Sequence, residues 1–369
     1  MNPMRFSLQR ESFLKPLAQV VNVVDRRNTM AVLSNLLVTI KDNWLSISGS
    51  DLEVELTSRI TVDDSQDGQA TIPARKLFDI VRALPDGCRI TIQLSDNKVT
   101  IQSGRSRFTL ATLSPDDFPL IETPSTIEQV IVAEARLKEL IEETAFAMAQ
   151  HDVRYYLNGL LIDLQDDRLR CVATDGHRLA LCQTTLDHVS NSPHQLILPR
   201  KGVNELVRLL DGGDRTIALQ LMQNHLRISR EDVTFTSKLI DGRFPDYEAV
   251  LPIGLDLQIL LHRETFRSAL QRVAILTNDK FRGVRLEVSP NLMRISSQNP
   301  DQEEAYEEVE VNTSIDSLVI GFNVVYLLEA LSALRSDDVV FLLRDGNSSA
   351  LLQEDGSERA RHVVMPLRL

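Results

Sequence analysis

The strongest constraint on the fold is that this chain contains one unit three times. The segments starting at Asn35, Gly159 and Gly283 read NLLVTIKDNWLSISGSD, GLLIDLQDDRLRCVATD and GVRLEVSPNLMRISSQN, each 124 residues after the last and aligned without a gap. Each alternates apolar and polar residues, breaks at a polar turn (Lys41-Asp42-Asn43, Gln165-Asp166-Asp167, Ser289-Pro290-Asn291) and resumes alternation through Ile47, Cys171 and Ile295. That pattern predicts a β-hairpin with one buried face. Asp51, Asp175 and Asn299 then fall at the same place in each copy, as turn positions.

A second element recurs downstream. IPARKLFDIVRALPDG from Ile72 and LPRKGVNELVRLLDGG from Leu198 both place a proline at the start of a helix, an apolar stripe at helical spacing and a Gly-containing stop. GFNVVYLLEALSAL from Gly321 has the same stripe, and each copy also opens with a helix, at Glu11 to Val24, Ala135 to Gln150 and Arg263 to Leu276. Each later helix leads into further alternating runs, and the first two copies end on Asp117-Phe118-Pro119 and Arg243-Phe244-Pro245. The unit is helix, strands, helix, strands, an α+β arrangement. Solenoid repeats are roughly 20–50 residues long, whereas a unit of this size can hold its own core. We therefore expect three similar domains, 1–125, 126–253 and 254–369, with joints near Thr123 to Thr126 and Pro252 to Leu257. Three alike in a row suggest a curved or closed arrangement of repeated interfaces.

The formal charge of -12 speaks against a chain that coats nucleic acid with its whole surface. It leaves room for a local basic face. The predicted helices carry Arg10 and Lys15; Arg75, Lys76 and Arg82; Arg136 and Lys138; Arg200, Lys201 and Arg208; and Arg263, Arg267 and Arg272. One such helix is an ordinary solvated face; five of six point to weak, salt-sensitive, sequence-independent contact with phosphates. The third copy's second helix lacks this charge. Acids concentrate elsewhere, as in Asp51 to Glu55 and Asp301 to Glu310.

Catalytic chemistry is sparse. There is no Gly-x-Ser-x-Gly elbow, no phosphate-cradling glycine loop and no His-x-x-x-His pair. An enzyme reading rests on Asp175-Gly176-His177-Arg178, an acid beside an imidazole. Yet Asp51 holds the position of Asp175 with no histidine after it, which favours a turn aspartate and a structural or ligand-contacting His177. Cys88, Cys171 and Cys182 are odd in number and lack metal-ligand spacing, so we expect neither a disulfide framework nor a metal site, and no cofactor. With no signal-peptide pattern and no apolar run approaching the roughly 20 residues that span a bilayer, the expected location is the cytoplasm, away from membrane.

Several segments together resemble the bacterial DNA polymerase III beta subunit, the sliding clamp family, over essentially the whole chain. They include Pro73-Ala74-Arg75-Lys76, Ser103-Gly104-Arg105-Ser106-Arg107-Phe108, Asp152-Val153-Arg154-Tyr155-Tyr156-Leu157-Asn158-Gly159 and Ala173-Thr174-Asp175-Gly176-His177-Arg178-Leu179. Phe235-Thr236-Ser237-Lys238-Leu239, Asp241-Gly242-Arg243-Phe244-Pro245-Asp246-Tyr247, Lys280-Phe281-Arg282-Gly283 and Val363-Val364-Met365-Pro366-Leu367-Arg368-Leu369 complete the match. The resemblance implies a non-catalytic head-to-tail homodimer, a ring with helices lining the hole and antiparallel sheets outside. Such a ring tethers the polymerase III alpha subunit, the clamp loader delta subunit, and other polymerases and repair proteins through short peptides.

The same resemblance implies a peptide pocket between the second and third domains. Its positions here are Leu157, Thr174, Gly176, His177, Arg178, Leu179, Pro245, Val250, Asn323, Tyr326, Val363, Met365, Pro366, Leu367 and Arg368. Apolar walls with a few polar handles suit a short peptide with aliphatic and aromatic anchors. It implies a dimer contact of Arg105, Arg107, Phe108 and Leu110 on Ile275, Leu276 and Glu303, and loop contacts to duplex DNA by Arg27, His151, Arg154, Tyr155 and Tyr156. To these the helix reading adds Arg75, Lys76, Arg200 and Lys201. The chain departs from relatives at Ala249, where some have Arg, at Leu367, where some have Met, and at Asn28 to Leu33, where relatives typically have a Pro-rich stretch.

Overall fold

A computed structural model describes residues 4–24, 30–121, 125–187, 189–190, 192–278, 280 and 282–368. Arg27, expected at DNA, lies outside them. The α-helices among the described residues are α1 (Arg10–Val21), α2 (Ala74–Ala83), α3 (Glu134–Glu142), α4 (Arg200–Leu209), α5 (Arg263–Val273) and α6 (Val324–Ala333). Each copy holds two, one near its start and one after its hairpin, as the repeat predicts. No helix among these residues is long and apolar enough to cross a membrane, and no group of metal-ligating side chains gathers.

The repeated hairpins form where the alternation places them. Asn35–Lys41 pairs with Trp44–Ser50, Gly159–Gln165 with Arg168–Thr174, and Gly283–Ser289 with Leu292–Gln298, all antiparallel. Left-handed backbone closes each turn: Asp42 and Asn43 at φ 51° and 63°, Asp166 at 54°, Asn291 at 61°. Asp and Asn accept that conformation more readily than other side chains. The apolar positions face inward, with Val38, Ile40, Leu45 and Ile47 buried in the first copy and Ile162, Leu164, Leu169 and Cys171 in the second.

The chain divides into two compact units, Met1–Ala135 with Asn204–Leu239 and Arg136–Val203 with Ile240–Leu369. In the first, a five-stranded sheet ends on Ser106–Ala111. An eight-stranded sheet there joins strands of the first copy to strands of the middle copy through Val54–Thr61 and Val233–Lys238. The second unit holds an eight-stranded sheet in which Arg178–Thr185 of the middle copy pairs with Ala360–Val364 of the third, and a four-stranded sheet ending on Glu304–Glu310. The middle copy thus gives one sheet to each unit.

Both joints have the same register. Val54 pairs with Ser237, and the Lys238 N–H donates to the Glu53 carbonyl at 2.8 Å. Arg178 pairs with Val364, and the Met365 N–H donates to the His177 carbonyl at 3.0 Å.

The first helix of the middle copy is shorter than its periodicity predicts, ending at Glu142 rather than near Gln150, with a 3-10 turn at Ala145–Ala147. Thr144 is the reason: its hydroxyl is buried and donates back to the carbonyls of Leu140 (2.6 Å) and Ile141 (3.3 Å), which competes with helix continuation. The matching overrun at Leu276 is smaller, α5 passing at Val273 into a 3-10 turn.

His362, in the strand that makes the second joint, is buried with no hydrogen-bond partner for either ring nitrogen among the described residues and lies 5.5 Å from the Phe146 ring. Burial first, and Arg359 second, push its pKa down to about 3. An unfolded histidine titrates near 6.5, so between those values the unfolded chain binds the extra proton and stability falls as pH falls. We expect the melting temperature to drop from pH 7 to pH 5 and His362→Leu to flatten that slope. An equal slope in the variant would show that other groups carry it.

Candidate peptide-binding site

The site is built on the end of a strand. Residues 174–178 leave Arg168–Thr174 and turn into Arg178–Thr185, and the turn is fixed by its aspartate. Asp175 Oδ1 accepts the N–H groups of His177 (2.9 Å) and Arg178 (3.1 Å), while Oδ2 accepts Arg178 Nε at 3.1 Å. The repeat positions do the same: Asp51 Oδ1 takes the N–H groups of Glu53 (2.9 Å) and Val54 (2.7 Å), and Asn299 Oδ1 that of Glu303 (3.0 Å). The Asp175 carboxylate is therefore committed to shaping the turn, with the exposed His177 ring making no hydrogen bond among the described residues. Gly176 sits at φ +89°, and a Cβ there would come within 3.0 Å of the Arg154 guanidinium, so this turn demands glycine.

Arg178 organises one side. Its guanidinium ion-pairs with Glu329 on α6, donates to the Phe146 carbonyl at 2.9 Å, and lies over the rings of Tyr326 (4.5 Å) and Phe146 (5.3 Å). Burial, then the nearby Asp175 carboxylate, raises the Tyr326 phenol pKa, so the hydroxyl stays a neutral donor. Asn323 accepts the Val325 N–H at 2.9 Å and so caps α6, which presents Tyr326.

The floor is apolar. Leu157, Leu179 and Val363 are buried together with Phe244 and Tyr247 in one cluster. The Tyr247 hydroxyl donates to the buried Asp163 carboxylate, and Arg170 Nη1 donates to Tyr247 at 3.0 Å, anchoring the stretch that carries Pro245 and Val250. The carboxy-terminal residues lie alongside: the Leu367 N–H donates to the Gly321 carbonyl at 2.8 Å and its side chain lies against Gly283. Val250 and Met365 stay 39% and 38% exposed, which leaves their apolar surface open to a ligand. Pro366 is half-buried and Arg368 exposed.

The sequence-derived pocket residues thus fall within one compact unit, with Leu157, Leu179 and Val363 in its buried cluster and His177, Val250, Met365 and Arg368 exposed. Sequence reasoning missed Phe146, Glu329, Tyr247, Asp163 and Arg170. Only the Tyr247 motif carried a signal.

The residues expected at DNA are dispersed. Arg75 and Lys76 are exposed on α2 and form no ion pair among the described residues. Arg200 differs from expectation: its guanidinium donates to the carbonyls of Met148 (2.7 Å) and Ala149 (3.0 Å), and burial lowers its pKa. Arg154 is folded onto Asp152, whose carboxyl it holds down at about 2, and onto the Asp175 carbonyl at 3.3 Å, beside the peptide site. His151 (φ 56°), Tyr155 and Tyr156 form an adjoining loop with the two tyrosine rings edge to face at 5.8 Å; Lys201 follows Arg200 on α4. Many of the other helix cations are paired, as Arg82 with Asp79, Arg136 with Glu139, Lys138 with Glu142, Arg208 with Glu205 and Arg267 with Glu264. The helix faces are less positive than a count of arginines suggests.

In the first unit, at the last strand of the five-stranded sheet and the turn before it, Arg105, Arg107 and Phe108 are exposed and Leu110 half-buried; in the second unit Ile275 (77% exposed), Leu276 and Glu303 are accessible.

Family models of the DNA polymerase III beta subunit match the chain three times: the N-terminal domain over residues 4–122, the central domain over 131–246 and the C-terminal domain over 248–368. The beta sliding clamp of Pseudomonas aeruginosa strain PAO1 is 48% identical over 99% of this chain and all of its own length; that of Escherichia coli K12 is 46% identical over the same shares. A crystal structure of the Pseudomonas aeruginosa sliding clamp bound to griselimycin superposes with a TM-score of 0.97 at 48% identity, covering 99% of this chain and 100% of that one. The threefold unit, the strand joints and these full-length matches have one meaning: the chain belongs to the DNA polymerase III beta subunit family, the bacterial beta sliding clamps.

Proposed function

We propose that two copies of this chain close head to tail around duplex DNA and, catalysing nothing themselves, hold a polymerase there through the surface around Thr174–Leu179 and Met365–Arg368. The observation that carries this reading is a pair of sheet edges that a third joint between chains would use. In the two joints within the chain, the strand after the Asp51 or Asp175 turn pairs with the last strand of the next copy. The corresponding strand of the third copy is Glu304–Glu310, and the last strand of the first copy is Ser106–Ala111; each ends its sheet. Joining them between two chains repeats the established register and pairs both of these edges.

Transferring that register sets Phe108 opposite Ala305, Leu110 opposite Glu303, Arg107 opposite Tyr306 and diagonal to Glu304 and Glu308, and Arg105 opposite Glu308. Basic faces acidic, as cross-strand pairing favours. The proposed domains are 1–125, 126–253 and 254–369. Arg75 and Lys76 on α2, with Lys201 and the loop of His151, Tyr155 and Tyr156, are the proposed contacts to duplex DNA, held to phosphate and so positioning without specifying sequence. Arg200 is committed to its carbonyls, and Arg154 acts beside the pocket. Partners proposed for the pocket are peptides of the polymerase III alpha subunit, the clamp loader delta subunit, other polymerases and repair proteins, all in the cytoplasm.

Topological holding has a direct test. Loaded onto nicked circular DNA by a clamp loader, the protein should stay bound through gel filtration and be lost when the circle is cut once. Equal retention on circle and linear DNA refutes encirclement.

A further inference from the structure

Beyond Val250 the site opens into a cavity of about 380 Å³. One wall is Ala249 to Ile253, an apolar stretch whose Ile253 side chain is 81% exposed; the other is the hairpin turn Arg344 to Ser349. The hairpin is rigid. Asp345 Oδ1 accepts the Asn347 N–H at 2.8 Å, the Ser348 hydroxyl donates to Asp345 at 2.9 Å, and the turn packs so closely that a Cβ on Gly346 would lie 2.4 Å from the Val319 carbonyl oxygen. Among the described residues, Arg344 is the only charged side chain lining the cavity. Its guanidinium donates to Asp345 at 3.1 Å and Ser348 at 2.6 Å, which uses two of five N–H donors. Asp345 keeps its Asn347 and Ser348 bonds if Arg344 turns toward a ligand. Opposite stands Ala249, too small to reach across.

We propose that Arg344 is a specificity-determining residue of this chain: it supplies, from the facing wall, a cation that reads a carboxylate flanking the anchors of the docked peptide. The proposal rests on the peptide-binding reading of the adjoining pocket. Continuity through Val250 gives the peptide its path, Pro252 and Ile253 give its backbone an apolar bed, and the guanidinium donors that Asp345 and Ser348 leave unused select the acid. A neutral flank leaves those donors to water, and a basic flank sets a second cation beside them.

The test uses the full-length protein and a fluorescein-labelled dodecapeptide with a leucine-leucine-phenylalanine core whose flanks on both sides carry serine, aspartate or lysine. Fluorescence anisotropy should rank aspartate over serine by about three- to fivefold, the strength of a part-exposed ion pair. Arg344→Ala should bind the aspartate and serine peptides alike, and Arg344→Glu should prefer the lysine peptide. An aspartate preference that is absent in the parent protein, or that survives both substitutions, overturns the proposal while leaving the pocket reading intact. If Met365→Asp leaves binding of the serine peptide unchanged, the pocket reading fails and this proposal falls with it.

Discussion

Arg105→Glu combined with Arg107→Glu is expected to convert the dimer to monomer at micromolar concentration. In the transferred register these arginines face Glu304 and Glu308, so the double reversal replaces attraction with four acids on adjacent strands. Like charges set together across an interface cost several kcal/mol; at about 3 kcal/mol per joint the affinity falls roughly a hundredfold or more, and a two-chain ring has two such joints. Phe108, 37% exposed at this edge, cannot compensate, because its apolar contact needs the strands paired. Sedimentation velocity should show the monomer, while the thermal melt of each chain stays near the parent's, since these side chains are exposed. Adding Glu304→Arg and Glu308→Arg to the same chain should restore the dimer. A variant that remains dimeric, or a swap that rescues nothing, would mean that the chains meet elsewhere or in another register.

The second large effect belongs to the pocket rim. Val250→Asp with Met365→Asp should weaken docking of a peptide with aliphatic and aromatic anchors by about a hundredfold, because truncating or charging central apolar contacts typically costs 2 kcal/mol or more. Both side chains are partly exposed, so the substitutions should leave the fold and the dimer intact. Isothermal titration with the peptide, alongside sedimentation of the free protein, separates lost docking from lost assembly. Undiminished binding would move the site away from the 174–179 turn.

Much of this is legible in the sequence. The hairpins and helices follow from periodicity, and the equivalence of Asp51, Asp175 and Asn299 predicted one shared turn, which all three build with side-chain acceptors. What sequence could not show was how each guanidinium is spent. Arg154 and Arg200 read as loop and helix cations free for phosphate, yet one is bound to Asp152 and the other to backbone carbonyls. Nothing local distinguishes a paired arginine from a free one. Phe146 and Glu329 were missed for a similar reason: they meet Arg178 across 32 and 151 residues of chain, a distance no motif spans. The helix overrun past Glu142 came from an apolar stripe that continues after Thr144 has diverted the backbone.

The register that joins Val54–Thr61 to Val233–Lys238 has a consequence for synthesis. The first of these strands leaves the ribosome long before its neighbour exists. At bacterial rates of about 5–20 residues per second, its open backbone edge must wait roughly ten to thirty seconds for Val233 to emerge. Newborn chains crowded on one messenger could pair with each other in that interval instead. Glu55 and Arg59 on the waiting strand are the charges that would discourage such premature partners, and the demand for chaperone protection should therefore peak while the middle copy is being made.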